Sequence, residues 1–412
     1  MTTLPNESPD SAAEDVNPAD DVLPVRLAGR EAFVPFRKAE LAAALAGRPE
    51  LDEAKRALFR RFCRLLDVLL HSEYHATLEQ LKNAYAPFDP DNDTQAVDDA
   101  ANAGADALRH TLFERFGWLL ERANFIRLAK EDIHTAVTDR SHWGLSLDLN
   151  FEIFERLEVY CRGDVIGTRF RRTLRNRFRT EAVEVPIYQR LAVIFRIQPD
   201  RTTSKYLDTQ DVYVKLFKDI PKADLDMLLP GTRVKMSLLD RAKILVPSLG
   251  GITVGVVKLF LVALNPYLIL GVVGGTLGYS ARSIYGYLNT RQKYQLNLTQ
   301  SLYFQNLDNN SGAIHRLLDE AEEQENREAM LAYYFLWQAA DKRGTAPEEL
   351  DRRIEAFVAE RVDGEIDFEI GDALAKLARL EVVRRDDEGR WHALPIKQAI
   401  DALARRWTRV PD

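Results

Sequence analysis

One stretch near the N-terminal end carries side chains of the types that bind zinc. His71, His75 and Glu79 recur every four residues, which places them on one face of a helix. A zinc site would need a third or fourth ligand from elsewhere in the chain, and the HExxH pattern of zinc hydrolases is absent. We therefore interpret these residues as a polar or interfacial helix face.

The turn DPDNDT, from Asp89 to Thr94, begins like a calcium-binding loop, with acids at its first, third and fifth positions. Such a loop needs glycine at its sixth position and a bidentate glutamate at its twelfth, and this chain has Thr94 and Ala100 there. The sequence instead predicts a turn that caps the following helix, because Asp and Asn side chains accept hydrogen bonds from nearby backbone amides.

A third group of acids lies in LLDEAEEQENREA, from Leu317 to Ala329. Carboxylate metal sites in helical bundles also use histidines from Glu-x-x-His motifs, and this stretch contains no histidine. The pattern favours a solvated helix face, on which Glu323 and Arg327 form an ion pair four residues apart.

The densest positive charge lies in TRFRRTLRNRFRT, from Thr168 to Thr180. Phe170, Leu174 and Phe178 recur every four residues, so we predict a basic amphipathic helix that contacts anionic lipid. An arginine-rich surface loop or hairpin is the alternative. The predicted lipid-facing patch consists of Arg169, Arg171, Arg172, Arg175, Arg177 and Arg179.

Motifs of known catalytic sites are missing from the sequence. There is no G-x-S-x-G element, no phosphate-binding loop and no dinucleotide fingerprint. The two cysteines, Cys63 and Cys161, permit neither a disulfide framework nor a CxxC zinc site, which fits a reducing compartment. We predict no catalytic residue, no cofactor and no metal ligand.

Composition limits the class of protein. The 412 residues suffice for two to four domains, and a mean hydropathy of -0.28 excludes a polytopic transporter. The net charge of -7 argues against general nucleic-acid binding. Residues 1–25 hold six acids and no Lys or Arg, unlike a secretion signal or a transit peptide, so we predict a disordered tail.

Hydrophobic periodicity indicates the elements that would position these residues. Helical spacing extends from Phe33 to about Arg140, and FERLEVYCRG, VEVPIYQRLAVIFRI and DVYVKLFKDI have the composition of strands. The C-terminal order of helix, strand, turn, strand and helix is the outline of a winged helix. The predicted segments are a disordered acidic tail (1–30), a helical N-domain (31–148), a basic α+β domain (149–240), two transmembrane helices (244–264 and 266–285), a connector (286–312) and a helical, winged-helix-like C-domain (313–412).

The two transmembrane helices are predicted from an apolar run, Ile244 to Ala281, whose only charge is Lys258. A single helix of this length would measure about 57 Å, whereas the hydrocarbon layer is about 30 Å thick. Asn265 and Pro266 interrupt the run, because proline cannot continue the helical hydrogen bonds, so we predict a hairpin that turns there. The glycines with small-xxx-small spacing that would pack its helices are Gly251, Gly255, Gly271, Gly275 and Gly278.

Two alternatives to the hairpin remain, a single tilted span and a buried helical pair in a soluble domain. Seven glycines in 38 residues argue against the buried pair, since glycine costs about 1 kcal/mol at each site in a soluble helix. Basic residues on both flanks would place both ends of the hairpin in the cytoplasm or in the equivalent matrix. The predicted fold class is therefore α+β and multidomain, with a transmembrane α-helical hairpin.

Several longer motifs resemble one known family. YAPFDPDNDT, VEVPIYQRL, FKDIPKADLDMLLPGTRVKMSLLDR and GYLNTRQKYQLNLTQSLYFQNLDNN are similar to the transmembrane protein 143-like family, domain of unknown function 3754. The resemblance covers most of the chain from about Phe33 and implies a membrane hairpin before SLYFQNLDNN. Animal members are associated with mitochondria and many others are bacterial. The family implies no catalytic residues, and the acidic start of this chain favours a bacterial inner-membrane location with both termini cytoplasmic.

The sequence thus predicts a membrane-anchored scaffold or regulatory protein. Its expected partners are the lipid bilayer and a protein partner or second copy of the chain, and nucleic acid is not expected. One alternative is a hydrolase or lipid-modifying enzyme at the membrane surface. The other is a membrane-tethered DNA-binding regulator, which the net charge of residues 313–412, 16 basic against 23 acidic, opposes.

Overall fold

The structure is a computed structural model that describes most of the chain. The described residues are 23–27, 31–94, 104–133, 146–148, 150–172, 180–199, 207–230, 233–235, 303–339, 343–362 and 366–408. Within them the fold is α+β, with a helical body packed against an antiparallel sheet.

Two long helices form the frame of the helical body. The described helices are α1 (Lys38–Ala46), α2 (Glu53–Tyr85), α3 (Ala105–Arg122), α4 (Asn310–Gln338), α5 (Pro347–Ala359), α6 (Ile370–Arg379) and α7 (Ile396–Trp407). α2 begins where the Asp52 carboxylate accepts a hydrogen bond from the backbone N–H of Lys55 at 2.8 Å. It ends just before Pro87, which lacks the N–H that a continuing helix needs.

The main sheet is built around one long hairpin. The described strands are β1 (Leu23–Leu27), β2 (Ile126–Arg127), β3 (Ser146–Asp148), β4 (Phe154–Arg172), β5 (Thr180–Ile197), β6 (Tyr213–Pro221), β7 (Arg233–Lys235), β8 (Asn306–Asn309), β9 (Val383–Arg385) and β10 (Trp391–Ala393). The sheet has the order β1-β4-β5-β6-β8, with β2 also paired to β4. All its pairs are antiparallel, and β3–β7 and β9–β10 form separate two-stranded ladders.

Both faces of the central strands are covered. Along β5, Ala192 and Ile194 face α3 and the ends of α2 and α4, whereas Leu191 and Val193 face the segments that connect the strands. Burial on both faces explains why LAVIF, residues 191–195, is a continuous apolar run without alternation.

The helices of the two chain ends share one hydrophobic core. It joins α1 and the first half of α2 to the second half of α4 and to α5, α6 and α7. Phe62 of α2 and Tyr333 of α4 stack with ring centroids 3.9 Å apart, and both are fully buried. The winged-helix-like segment therefore completes its core with residues from the N-terminal helices.

The transmembrane hairpin in the predicted fold class is wrong. No helix among the described residues is both long enough and apolar enough to cross a bilayer. The longest ones, α2 and α4, carry charged residues along their length. The predicted spans 244–264 and 266–285 lie outside the described residues, as do Gly251, Gly255, Gly271, Gly275, Gly278, Asn265 and Pro266.

The prediction of a basic amphipathic helix at residues 168–180 is also wrong where the structure describes these residues. Residues 168–172 continue β4 and pair with residues 180–184 of β5, so Arg169, Arg171 and Arg172 lie on a strand. Strand pairing there overrides the four-residue spacing of the aromatic and leucine side chains. Arg175, Arg177 and Arg179 lie outside the described residues.

Candidate functional site

The middle of α4 holds six polar residues that are almost completely buried. Glu322, Gln324, Glu325, Asn326, Arg327 and Glu328 each expose 6% or less of their surface, and we call them the polar belt. The predicted solvated helix face is therefore wrong, although the predicted ion pair between Glu323 and Arg327 is present at 3.0 Å. A buried charge is costly unless neighbouring groups compensate it, so the partners of the belt define what it does.

The first two helices supply one set of partners. His71 Nδ1 of α2 lies 3.1 Å from a carboxylate oxygen of Glu322. Asn326 Nδ2 donates a hydrogen bond to the Asp67 carboxylate at 2.9 Å, and Lys38 of α1 lies 2.6 Å from the same carboxylate. These contacts fix α1 and α2 along the middle of α4.

The extended segment before α1 supplies backbone groups. Gln324 Oε1 accepts a hydrogen bond from the Val34 N–H at 3.2 Å, and Arg327 Nη1 donates to the Phe36 carbonyl at 3.0 Å. Backbone partners of this kind satisfy buried polar side chains without adding further charge.

Arg162 of β4 joins the sheet to α4. Its Nη2 lies 2.8 Å from a Glu320 carboxylate oxygen, and its Nη1 donates to the Ala123 carbonyl at 3.0 Å. The guanidinium carbon lies 4.1 Å and 4.7 Å from the ring centroids of Phe33 and Phe125. Burial lowers the pKa of Arg162 to about 10, so the group stays charged at neutral pH.

The C-terminal segment and α3 supply the cations that pair with Glu325 and Glu328 of the polar belt. Lys376 Nζ of α6 lies 3.0 Å from Glu325 and 3.7 Å from Glu328. Arg122 Nη1 of α3 lies 3.1 Å from Glu325 and 3.2 Å from Asp372. Glu325 is thus shared by two cations that come from different parts of the chain.

Burial shifts the pKa of two residues of the polar belt, Glu328 and Arg327. Burial raises the pKa of Glu328, although Lys376 and hydrogen bonds from Gln324 (2.7 Å) and Asn124 (3.1 Å) oppose the increase. Burial lowers the pKa of Arg327, which Glu323 opposes. The neutral form of Glu328 is therefore favoured in the folded protein more than in the unfolded chain.

We expect Glu328→Gln to remove a loss of stability that the wild type shows as pH rises. Since the folded protein holds the Glu328 proton more tightly, the contribution of this group is fully present below its ordinary pKa of 4.5 and is lost as pH rises through the raised folded value. Urea unfolding of the two proteins above pH 4.5 should show the wild type losing stability relative to the variant as pH rises. A difference that stays constant with pH would contradict the assignment, and exposed Glu388→Gln is the matched control.

Of the three residues of the zinc-binding types, His71 is the one that contacts the polar belt. It lies against Glu322 across the α2–α4 pair, although 71% of its side chain is exposed, and His75 and Glu79 are exposed as well. In the part of the chain that the structure describes, no group of three or more His, Cys, Asp or Glu side chains is placed to hold a metal ion.

The DPDNDT stretch is a turn, as predicted. The Asp89 carboxylate accepts the Asp91 N–H at 3.1 Å, and Asn92 Oδ1 accepts the Thr94 N–H at 3.0 Å. The turn does not cap α3, whose N-cap is Gly104, with a φ of 107° that favours glycine.

A contact between two distant motifs was not predicted from the sequence. Asn310 Nδ2 donates to Asp91 at 2.6 Å, and its Oδ1 accepts the Val214 N–H at 3.2 Å. Asn310 is buried and has a φ of 48°, which asparagine tolerates better than most residues. The signal available in the sequence was an asparagine pair at the end of QNLDNN, but a single sequence does not show its partner.

The C-terminal segment contains a short hairpin between two helices. α6 precedes β9, a turn at Asp386 to Gly389 connects β9 to β10, and α7 follows. Thr345, ahead of α5, forms a bridge with Trp391 of β10. Arg384 and Arg385 are exposed on β9, and we call β9, the turn and β10 the wing.

The fold and the polar belt define an α+β protein in which buried ion pairs join α4 to the sheet and to α6, the helix before the wing. Residues 185–312 match the family described as "Protein of unknown function (DUF3754)". Among the described elements, this match includes most of β5, all of β6, β7 and β8, and the first residues of α4. No solved structure matches the chain.

Proposed function

We propose that the chain is a scaffold or regulatory protein whose winged-helix-like segment makes protein contacts. We also propose that its similarity extends from the matched family to the transmembrane protein 143-like proteins, on the basis of the motifs quoted above. The position of α6 is the observation that supports a protein-contact role.

In helix-turn-helix DNA-binding domains, the recognition helix enters the major groove. α6 occupies the equivalent place before the wing, but Leu374 and Leu377 lie in the shared core and Lys376 is buried between two glutamates. At its two ends, Asp372 pairs with Arg122 of α3, and Arg379 lies 2.8 Å from Glu73 of α2. Through these contacts α6 packs against other helices of the same chain, and not against a ligand as a recognition helix does.

The charge of the C-terminal segment supports the same proposal. Phosphate binding needs an excess of basic residues, and residues 313–412 carry an excess of acids. The wing presents two exposed neighbouring arginines and an acidic turn that includes the exposed Asp387 and Glu388. A mixed-charge surface of this kind suits a protein partner better than a polyanion.

Photo-crosslinking from the wing tests the proposal. A photoreactive amino acid placed at Arg384 or at Glu388 should give the same crosslinked protein from both positions, identified by mass spectrometry. The same amino acid at Arg60, on the exposed face of α2, is the control and should not give that product. The product should also disappear when the other wing residues are reversed in charge, as in Arg385→Glu.

A DNA-binding assay on the full-length chain tests the rival function. At physiological salt we expect no saturable binding of a labelled duplex at micromolar protein concentrations. Saturable binding that Arg384→Gln and Arg385→Gln abolish would contradict the proposal and support a DNA-binding regulator.

A further inference from the structure

A cleft that shares no residue with the polar belt opens beside the sheet. It lies between the segment that follows β2 and the start of β4, and its volume is about 550 Å³. Clefts of about 300–1,000 Å³ are the usual size for small-molecule sites. Its lining residues are Arg127, Leu128, Ala129, Lys130, Ile133, Phe151, Phe154, Glu155, Arg156, Leu157 and Glu158.

The floor of the cleft is apolar. Leu128, Phe151 and Leu157 are partly exposed there and pack against the core that contains the buried Ile133 and Phe154. Removing such surface from water favours a ligand with a hydrocarbon portion.

Among the residues that line the cleft, the rim carries more positive than negative charge, with the Asp132 carboxylate beside it accepting the Ala129 N–H at 3.2 Å. Arg156 donates through Nε and Nη2 to a single oxygen of Glu158, at 2.9 Å and 2.7 Å, and Arg127 Nη2 lies 3.2 Å from the same oxygen. The second Glu158 oxygen accepts the Tyr160 hydroxyl at 2.7 Å. One carboxylate does not neutralise two guanidinium groups, and the exposed Lys130 adds a third cation to the rim.

The second carboxylate that lines the cleft, Glu155, is neutralised by two arginines that lie outside the cleft. Glu155 lies 3.1 Å from Arg109 and 2.5 Å from Arg196, neither of which lines the cleft. Arg127 and Arg156 are both partly exposed, with 60% and 41% of their side-chain surface accessible, so they can turn unused N–H groups towards a ligand.

We propose that this cleft binds a small amphiphilic anion, with its hydrocarbon chain on the apolar floor and its carboxylate at the Arg127–Lys130–Arg156 rim. The guanidinium fork of arginine matches a carboxylate in geometry, and the charged hydrogen bonds add to the burial of the chain. This site goes beyond the proposed scaffold role and does not depend on the wing.

Calorimetric titration of the full-length chain with octanoate, octanol and octyltrimethylammonium tests the proposal. Octanoate should saturate one site per chain, and the neutral and cationic probes should bind at least about tenfold more weakly. Across butyrate, hexanoate and octanoate, the affinity should rise by up to about fourfold for each methylene group.

Paired charge variants locate the site. Arg127→Gln with Lys130→Gln should weaken octanoate binding by about tenfold or more, whereas Arg60→Gln with Arg61→Gln, which removes the same charge from α2, should leave it unchanged. Equal weakening in both pairs, equal binding of the cationic probe or no saturable binding would each overturn the proposal. If the cleft variant does not fold, the comparison of probes on the unaltered chain decides.

Discussion

Replacing Lys376 with methionine is expected to lower the free energy of unfolding by about 3–5 kcal/mol. The Lys376 side chain is 3% exposed and lies between the carboxylates of Glu325 and Glu328, which are 6% and 4% exposed. Methionine keeps most of the volume but removes the charge, so two buried carboxylates lose a shared cation. Arg122 still compensates Glu325, and Glu328 loses its nearest positive charge.

Urea unfolding followed by circular dichroism measures this effect. Arg384→Met removes an exposed cation from the neighbouring strand and should change stability by no more than about 0.5 kcal/mol. Adding Glu328→Gln to Lys376→Met should recover part of the loss, because the orphaned charge is then absent. A loss below about 1 kcal/mol for Lys376→Met would mean that the charge of Lys376 is not needed to hold α6 on α4.

The strands could be predicted from the sequence because their signal is local. VIFRI and VYVKLF are rich in β-branched and aromatic residues, which favour strands. Because these strands are buried on both faces, their apolar residues are clustered and do not recur at the three- to four-residue spacing of a helix. The long acidic helix was also predicted as a helix. Periodicity therefore located the main elements, since each depends on residues close together in the chain.

The environment of the acidic helix could not be predicted in the same way. Acidic residues normally indicate solvent, yet Glu325 is buried because Arg122 and Lys376, 203 and 51 residues away along the chain, surround it. Asn326 and Asp67 are likewise 259 residues apart. A pattern within α4 contains no information about these partners.

The helix predicted for the arginine-rich residues 168–180 was wrong for a related reason. Phe170 and Leu174 have helical spacing, but the cross-strand pairing of residues 168–172 with residues 180–184 decides the conformation. Alternation of arginine with Phe170 in RFR also fits a strand, and a spacing of four residues alone does not exclude it.

Phe62→Ala is expected to cost about 3–5 kcal/mol, because it removes a fully buried ring and leaves a cavity in the shared core. The ring stacks on Tyr333, whose hydroxyl donates to the Leu394 carbonyl at 3.0 Å, so the cavity lies where α2, α4 and the segment before α7 meet. Phe62→Leu keeps more of the volume and should cost less than half as much.

Hydrogen exchange shows whether this loss reaches the C-terminal segment. Because one core joins α2 to α7, amide protection in both helices should fall by the same factor in Phe62→Ala. Loss of protection confined to α2 would contradict a shared core and would favour separate N- and C-terminal domains. A common fall means that the wing, through which we propose the chain contacts a partner, is stabilised by the N-terminal helices, so a partner that binds the wing would also change the stability of α2.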